Sequence, residues 1–262
     1  MNNKLPISVH ILTRNSEKTL EATLESIKDC EEILIVDGES TDNTLNIATK
    51  YGAKIINQEI RGEATDFSSI RNFAMDNTTK DWIFALDSDE TANPELLSSI
   101  QKVIDEGLPV ACEVTRKYVL NNGKIIDFAS TYPNKRIYFF HKEVVEKWIK
   151  PVHERPQIRE GTKLIKLNGA CLAPIGDIEE YKRKNLRYLE IEVKKSKNKG
   201  WIHWLKHRLY HTFRSRMIGI IRLINIWLIP RKGTRLPLKQ EMMRFWYGWM
   251  LVWKTCPLFN NE

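Results

Sequence analysis

The chain has 262 residues, 42% hydrophobic and 28% charged, with 12 Gly and 10 Pro, a composition that excludes disorder, collagen and low-complexity arrays. Its length accommodates one large domain, or a domain with an appendage, around a core that needs no disulfides. The net charge of +8 conceals a division: residues 1–180 carry 22 Lys+Arg against 29 Asp+Glu, whereas residues 181–262 carry 19 against 4. An acidic domain, 1–180, therefore precedes a basic module, 181–262.

Taken in chain order, Ile7–Leu12 reads as an apolar first strand, and Leu20, Leu24 and Ile27 follow at helical spacing. Ile33–Val36 is a second strand, followed by the turn Asp37-Gly38-Glu39-Ser40 and a helix that Ser40 or Thr41 caps. Ala53–Asn57 is a third strand. A loop containing Gly62 leads to a helix marked by Phe67, Ile70, Phe73 and Ala74, and Trp82–Leu86 is a fourth strand. Strands that are apolar throughout and separated by helices predict a parallel α/β sheet covered on both faces. Such sheets bind ligands beyond the carboxyl ends of their strands. There the chain places Thr13-Arg14-Asn15, Asp37 to Asp42, and Asp87-Ser88-Asp89-Glu90.

From 110 to 174 the segments are shorter, Val110–Tyr118, Lys124–Phe128 and Arg136–Phe140, with Asn-Gly and Tyr-Pro turns between them. They predict an antiparallel extension of the same sheet, so that 1–105 and 106–180 form two halves of one domain. Residues 194–200 (KKSKNKG) read as a hinge. Beyond it Trp201, Leu205, Leu209, Phe213, Met217, Ile221, Ile224 and Leu228 form a ladder at helical spacing, with His207, Arg208, His211, Arg214 and Arg222 largely on the other face. A second segment, Met242–Trp253, is aromatic on nearly every side.

A helix packed on the first domain would give the same stripe. The basic excess and six of the eight tryptophans instead favour a module lying on an anionic membrane surface. Trp201, Trp204, Arg208, Arg214, Trp227, Trp246, Trp249 and Trp253 are its expected contacts. Nucleic acid is not expected as a partner, because the rings cluster with aliphatics rather than alternating with basic residues. No apolar run reaches 18 residues, so neither a signal peptide nor a spanning helix is expected, and the four cysteines, with no CxxC pair, read as inert reduced thiols.

The acids carry the chemistry. Asp87-Ser88-Asp89 follows the apolar strand WIFAL directly, so two carboxylates project from a strand end. Hard oxygen ligands of this kind suit Mn²⁺ or Mg²⁺ bridging a diphosphate. Asp37 has the alternative of opening the Gly38 turn, and Arg71 that of lying on a solvated helix face.

The runs ISVHILTRNSEKTLEATLESI, EEILIVDGESTDNTLNIATKYGAKI and SSIRNFAMDNTTKDWIFALDSDETANPELL resemble the nucleotide-sugar-binding half of family 2 glycosyltransferases of the GT-A fold. Within that family they look like the lipopolysaccharide-core glycosyltransferase group. The resemblance covers about residues 6–105 and continues weakly through Tyr132-Pro133, Arg136 and Val152-His153-Glu154. It implies that Thr13 and Asn15, with Arg14 and Gly38 beside them, line the nucleotide pocket and that Asp37 meets the base or ribose. It further implies that Arg71 lies near the diphosphate, that Asp87, next to Ser88, meets the ribose or sugar, and that Asp89 ligates the metal. Where the group has a histidine this chain has Leu172-Ala173-Pro174, leaving His153 as a substitute ligand.

Family 2 enzymes invert the anomeric centre in a single displacement, which needs a general base on the acceptor side. Glu154 is the first candidate, with Glu90 and Asp127 behind it. The expected activity is transfer of a hexose from a nucleotide sugar, foremost a UDP-sugar, to a glycolipid or lipid-linked saccharide, by a peripheral enzyme at the cytoplasmic membrane face. Two alternatives remain. One is a nucleotidyltransferase, which the glycine-free ILTRNSEKT loop opposes; the other is a non-catalytic nucleotide-sugar-binding protein.

Overall fold

The computed structural model describes residues 4–57, 66–151, 153–176, 178–197 and 199–259; the expected Gly62 loop and Val152 lie outside them. The chain divides into two compact units, Met1–Tyr118 with Pro133–Pro174, and Val119–Tyr132 with Ile175–Glu262. Residues 119–132 thus group with the C-terminal helices.

In the first unit, β1 (Leu5–Thr13), β2 (Cys30–Asp37), β3 (Lys54–Asn57) and β4 (Trp82–Asp87) lie side by side in parallel, in the order β3-β2-β1-β4. The helices between them are α1 (Leu20–Ser26), α2 (Thr44–Lys50) and α3 (Phe67–Asp76). Both faces of β2 are covered. Ile33 and Ile35 join the large core that contains Leu20 and Leu24 of α1, whereas Leu34 and Val36 pack with Ile70 and Ala74 of α3. This is why the strand is apolar throughout rather than alternating.

The short β5 (Thr91–Ala92) leads to α4 (Pro94–Glu106), capped by Asn93 through Leu96 N–H at 2.9 Å and ended by Gly107 at φ 69. The sheet then turns antiparallel. β7 (Lys135–His141) pairs with β4 on one side and β6 (Ala111–Val119) on the other, as the segment pattern predicted. β8 (Val145–Ile149) and β9 (Arg155–Ile158) form a separate hairpin. β10 (Leu164–Lys166) adds to β6 in parallel, and β11 (Cys171–Pro174) pairs with β5. Lys124–Phe128 is not a strand of this sheet: it makes isolated bridges to Val119 and Arg235 within the second unit.

The second unit is helical. α5 (Ile178–Ser196) ends at the expected break, and α6 (Trp201–His203) runs through a π-helical stretch, Trp204–Tyr210, into α7 (His211–Leu228), with α8 (Leu238–Lys254) following. Among the described residues no helix is long and apolar enough to cross a membrane. The four cysteines are free and buried, and burial pushes the Cys30 and Cys112 thiols up to about 12.

Candidate active site

The strand register assembles the site edge. Thr13 lies opposite Asp37, and Leu12 opposite Asp87, so β1, β2 and β4 end together where the strand order reverses. The loops beyond are tied to one another. Thr13 donates to Asp37 Oδ1 at 3.0 Å; Ser40 donates to the same carboxylate through its hydroxyl at 2.6 Å and its N–H at 2.8 Å. Asp37 is buried, and it builds the turn across the buried Gly38. Asn15, in the left-handed region at φ 52, accepts Thr41 N–H at 2.8 Å and donates its own N–H to Ser40 Oγ at 2.9 Å. Ser88 reaches Ser16 at 2.9 Å, and Arg14 is exposed beside them.

Arg71 is the hub. It is fully buried, inserted from α3 between the ends of β1 and β4, where it donates to His10 C=O at 3.2 Å and to Asp87 Oδ1 at 2.7 Å. Its Nε stands 3.6 Å from Glu154 Oε1. Burial works against its charge, and Asp87, Tyr138 and Glu154 more than offset this. The solvated-face reading of Arg71 is thereby excluded. Burial likewise opposes ionisation of Asp87, but Arg71 and Arg136, the latter at 3.2 Å from Oδ2, hold it below the usual carboxylate range.

Asp87, Asp89 and Glu90 form the group of ligand-type side chains that could hold a metal among the described residues, their ligand atoms lying within 4.8 Å of one another. The donors are all hard oxygens, as Mn²⁺ or Mg²⁺ requires. Glu90 is wholly buried; one oxygen pairs with Arg116 and Oε2 has no hydrogen-bond partner. Burial first, and then the neighbouring Asp87 charge, raise Glu90 to about 7. A partnerless buried carboxylate oxygen beside two further carboxylates is a site a cation would satisfy.

Glu154 is brought to this cluster by the fold rather than by sequence proximity. Asn72 of α3 accepts Trp148 N–H at 2.7 Å and donates to Trp148 C=O at 3.0 Å, while Phe67 N–H donates to Pro151 C=O at 2.9 Å. The β8–β9 turn is thereby fastened over α3, and Arg71, not the neighbouring Arg155, supplies the ion pair of Glu154 among the described residues. His153 sits exposed in that turn at φ 58, outside the acidic group, whose third member is Glu90. Asp127 belongs to the second unit, where it accepts Thr234 N–H at 2.9 Å.

Arg116, Arg136 and Tyr138 complete the site without having been singled out for it. An arginine leading directly into an apolar and aromatic run, as in RIYFF, is the signal that marks Arg136. In the helical unit, Trp201, Trp227, Trp249 and Trp253 are 46–71% exposed and Arg214 is exposed. Trp246 is half-buried, Trp204 donates its indole N–H to Val252 C=O at 3.0 Å, and Arg208 pairs with Glu192 at 2.7 Å.

Several known proteins are similar to this chain. An uncharacterised glycosyltransferase of Rickettsia typhi is 34% identical over 98 residues, 37% of this chain and 32% of that protein. The lipopolysaccharide core biosynthesis glycosyltransferase LpsC of Rhizobium meliloti is 28% identical over 138 residues, covering 51% and 48%. The chain thus matches about a third to a half of the length of these curated relatives. The crystal structure of S. aureus TarS 1–349 in complex with UDP-GlcNAc is similar with a TM-score of 0.48 at 17% identity, covering 84% of this chain and 73% of that one. Residues 8–156 match Glycosyl transferase family 2, and this chain, a mixed α/β protein, belongs to that family.

Proposed function

We propose that the chain is an inverting, divalent-cation-dependent glycosyltransferase that moves a hexose from a UDP-sugar to a hydroxyl of a glycolipid or lipid-linked saccharide in cell-envelope polysaccharide synthesis. The observation that carries this reading is the Asp87–Asp89–Glu90 group at the end of β4, with its partnerless Glu90 oxygen. A bound Mn²⁺ or Mg²⁺ would supply charge neutralisation for the departing diphosphate.

The chain's own residues do the rest. The loops joined by Asp37, Asn15 and Ser40 receive the nucleoside, and Arg71 and Arg136 keep Asp87 ionised and fixed. Glu154 takes the proton from the acceptor hydroxyl as that oxygen attacks the anomeric carbon from the side opposite the diphosphate. Its ion pair with Arg71 holds the carboxylate in place. In the helical unit, exposed tryptophans beside a strongly basic sequence support peripheral attachment to the anionic cytoplasmic face of a membrane.

The test is a panel of UDP-, GDP-, dTDP- and CMP-sugars read by thermal stabilisation with Mn²⁺ or EDTA, since a ligand that binds only the native state raises its melting temperature. Stabilisation by a UDP-sugar in Mn²⁺ alone is expected. Stabilisation that is equal in EDTA removes the metal from the reading.

A further inference from the structure

The helical unit contains a cavity of about 350 Å³ whose charged lining is entirely basic. Arg214, Arg216 and Arg222 of α7 and Arg244 of α8 converge on it, and among the described side chains none of the four makes an ion pair. The floor is a built platform. Ser130 donates its N–H to Glu241 Oε1 at 2.7 Å and its hydroxyl to Oε2, and Glu241 is itself buried. Arg244 then donates to Ser130 Oγ at 2.7 Å, while Arg222 points at Ser130 C=O at 3.4 Å. Glu241 is spent beneath the floor, so no carboxylate lines the cavity.

Arg216 carries the second observation. Its Nε is buried without a partner, and burial, with the Arg244 charge beside it, pulls its guanidinium below the ordinary value. It passes so close to α8 that a Cβ on Gly248 would stand 2.2 Å from Nε. A glycine is needed there for the guanidinium to occupy this place. Collecting like charge around one cavity costs stability, which an anion that fits the forks restores.

We infer that this cavity binds a phosphate or diphosphate monoester, the headgroup of the lipid-linked acceptor. Planar guanidinium forks match phosphate oxygens bidentately. The lipid source, rather than free phosphate, follows from the apolar neighbours: Ile218 and Phe245 line the cavity, Ile218 is itself 42% exposed, and Met242 and Trp249, three residues before and four after Phe245 on α8, are 51% and 71% exposed. A headgroup held among the arginines would leave its hydrocarbon tail along that face. This inference rests on the proposed lipid-linked acceptor.

The test titrates the full chain, in EDTA to disable the metal group, with farnesyl diphosphate, inorganic pyrophosphate and farnesol, read by calorimetry. Saturable binding of farnesyl diphosphate is expected, with pyrophosphate competing more weakly and farnesol not competing. Arg214→Gln with Arg222→Gln, both exposed positions, should weaken farnesyl diphosphate at least about tenfold, as loss of charge-assisted bonds implies. Should that pair melt early, Arg214→Lys with Arg222→Lys must weaken binding by less than the Gln pair weakens it. Equal affinity for pyrophosphate and farnesyl diphosphate overturns the lipid source. Absent binding, or binding indifferent to all these substitutions, overturns the site. UDP-sugar binding with Mn²⁺ restored is read in the same samples. Its presence without any farnesyl diphosphate response refutes the phosphate site alone; its absence alongside an arginine-dependent response refutes the donor reading alone.

Discussion

Replacing Arg71 with Met removes the cation that, among the described residues, touches both Asp87 and Glu154. Its side chain is 1% exposed and sits 2.7 Å from Asp87 Oδ1, so the guanidinium lies where water does not compensate. Removing one partner of a buried pair costs about 3–5 kcal/mol when the other is left without a counter-charge; Asp87 is a third exposed and keeps Arg136, so the lower end, about 3 kcal/mol, is expected. Methionine fills much of the volume, so packing adds little. The His10 carbonyl loses a donor as well. At roughly 2–4 °C per kcal/mol for a unit of this size, the first unit should melt about 6–12 °C lower. Asp87→Asn is the matched control. Asp87 is a third exposed, Arg71 keeps Glu154, and Arg136 is 37% exposed, so the expected loss is only about 1–2 kcal/mol, that of one charge-assisted bond. Differential scanning calorimetry of both variants reads the difference. An Arg71→Met protein melting within about 2 °C of wild type would refute the hub, and with it the claim that Arg71 positions the two acids.

Asp89→Ala should abolish Mn²⁺-dependent UDP-sugar binding while shifting the melting temperature by under about 2 °C, since a half-exposed strand-end carboxylate contributes little to the core; retained metal dependence would exclude it as a ligand. Glu154→Gln should bind donor and metal normally yet transfer about 10²–10⁴ times more slowly, and near-normal single-turnover transfer would move the base elsewhere. Acid stability should depend on His10, which burial and then Arg71 hold neutral down to about 3. The unfolded chain takes up that proton below about 6.5, so stability is complete above that pH and falls toward 3, by about 2 kcal/mol at pH 5. His10→Gln, which keeps the Thr78 contact, should flatten the urea-midpoint slope between pH 7 and 5; an unchanged slope would clear His10. Ile221→Glu with Trp249→Glu, both largely exposed, should release the chain from phosphatidylserine vesicles. Binding of the unsubstituted chain should fade with salt, because the screening length is about 10 Å at 0.1 M; a salt-independent, substitution-independent association would remove the membrane surface from the reading.

The parallel half of the sheet is legible because burial on both faces leaves a direct trace, a run such as ILIV or WIFAL with no polar alternation. The capping of α2 is not legible, although the residues for it are present. Ser40 is consumed by Asp37, and Thr41 is consumed by Asn15. The helix therefore begins later, at Thr44, whose N–H and hydroxyl Asp42 accepts. Competition among several hydroxyls for one turn is settled by the neighbouring loop, which contributes Asn15 from 26 residues away. Lys124–Phe128 shows the same limit: its apolar residues satisfy a strand pattern, but its partners are Val119 and Arg235, and nothing local distinguishes them from the strands of the first unit.

The site divides along similar lines. Carboxylates at strand ends are visible because a strand fixes where its last residue points, and Asp87 and Asp89 follow from that alone. Cations are harder to place, because a long side chain can leave its own element. Arg71 stands between Ile70 and Asn72 on a helix that also has an exposed face, and its partners lie on β4 and in the β8–β9 turn. Asn72, immediately after it, fastens the β8–β9 hairpin that presents Glu154. The dipeptide therefore does two things at once: one residue keeps Asp87 ionised and pairs with Glu154, and the next brings Glu154 there. A substitution of Asn72 should thus displace Glu154 while leaving Asp87 in place, separating positioning of the acceptor-side acid from retention of the donor.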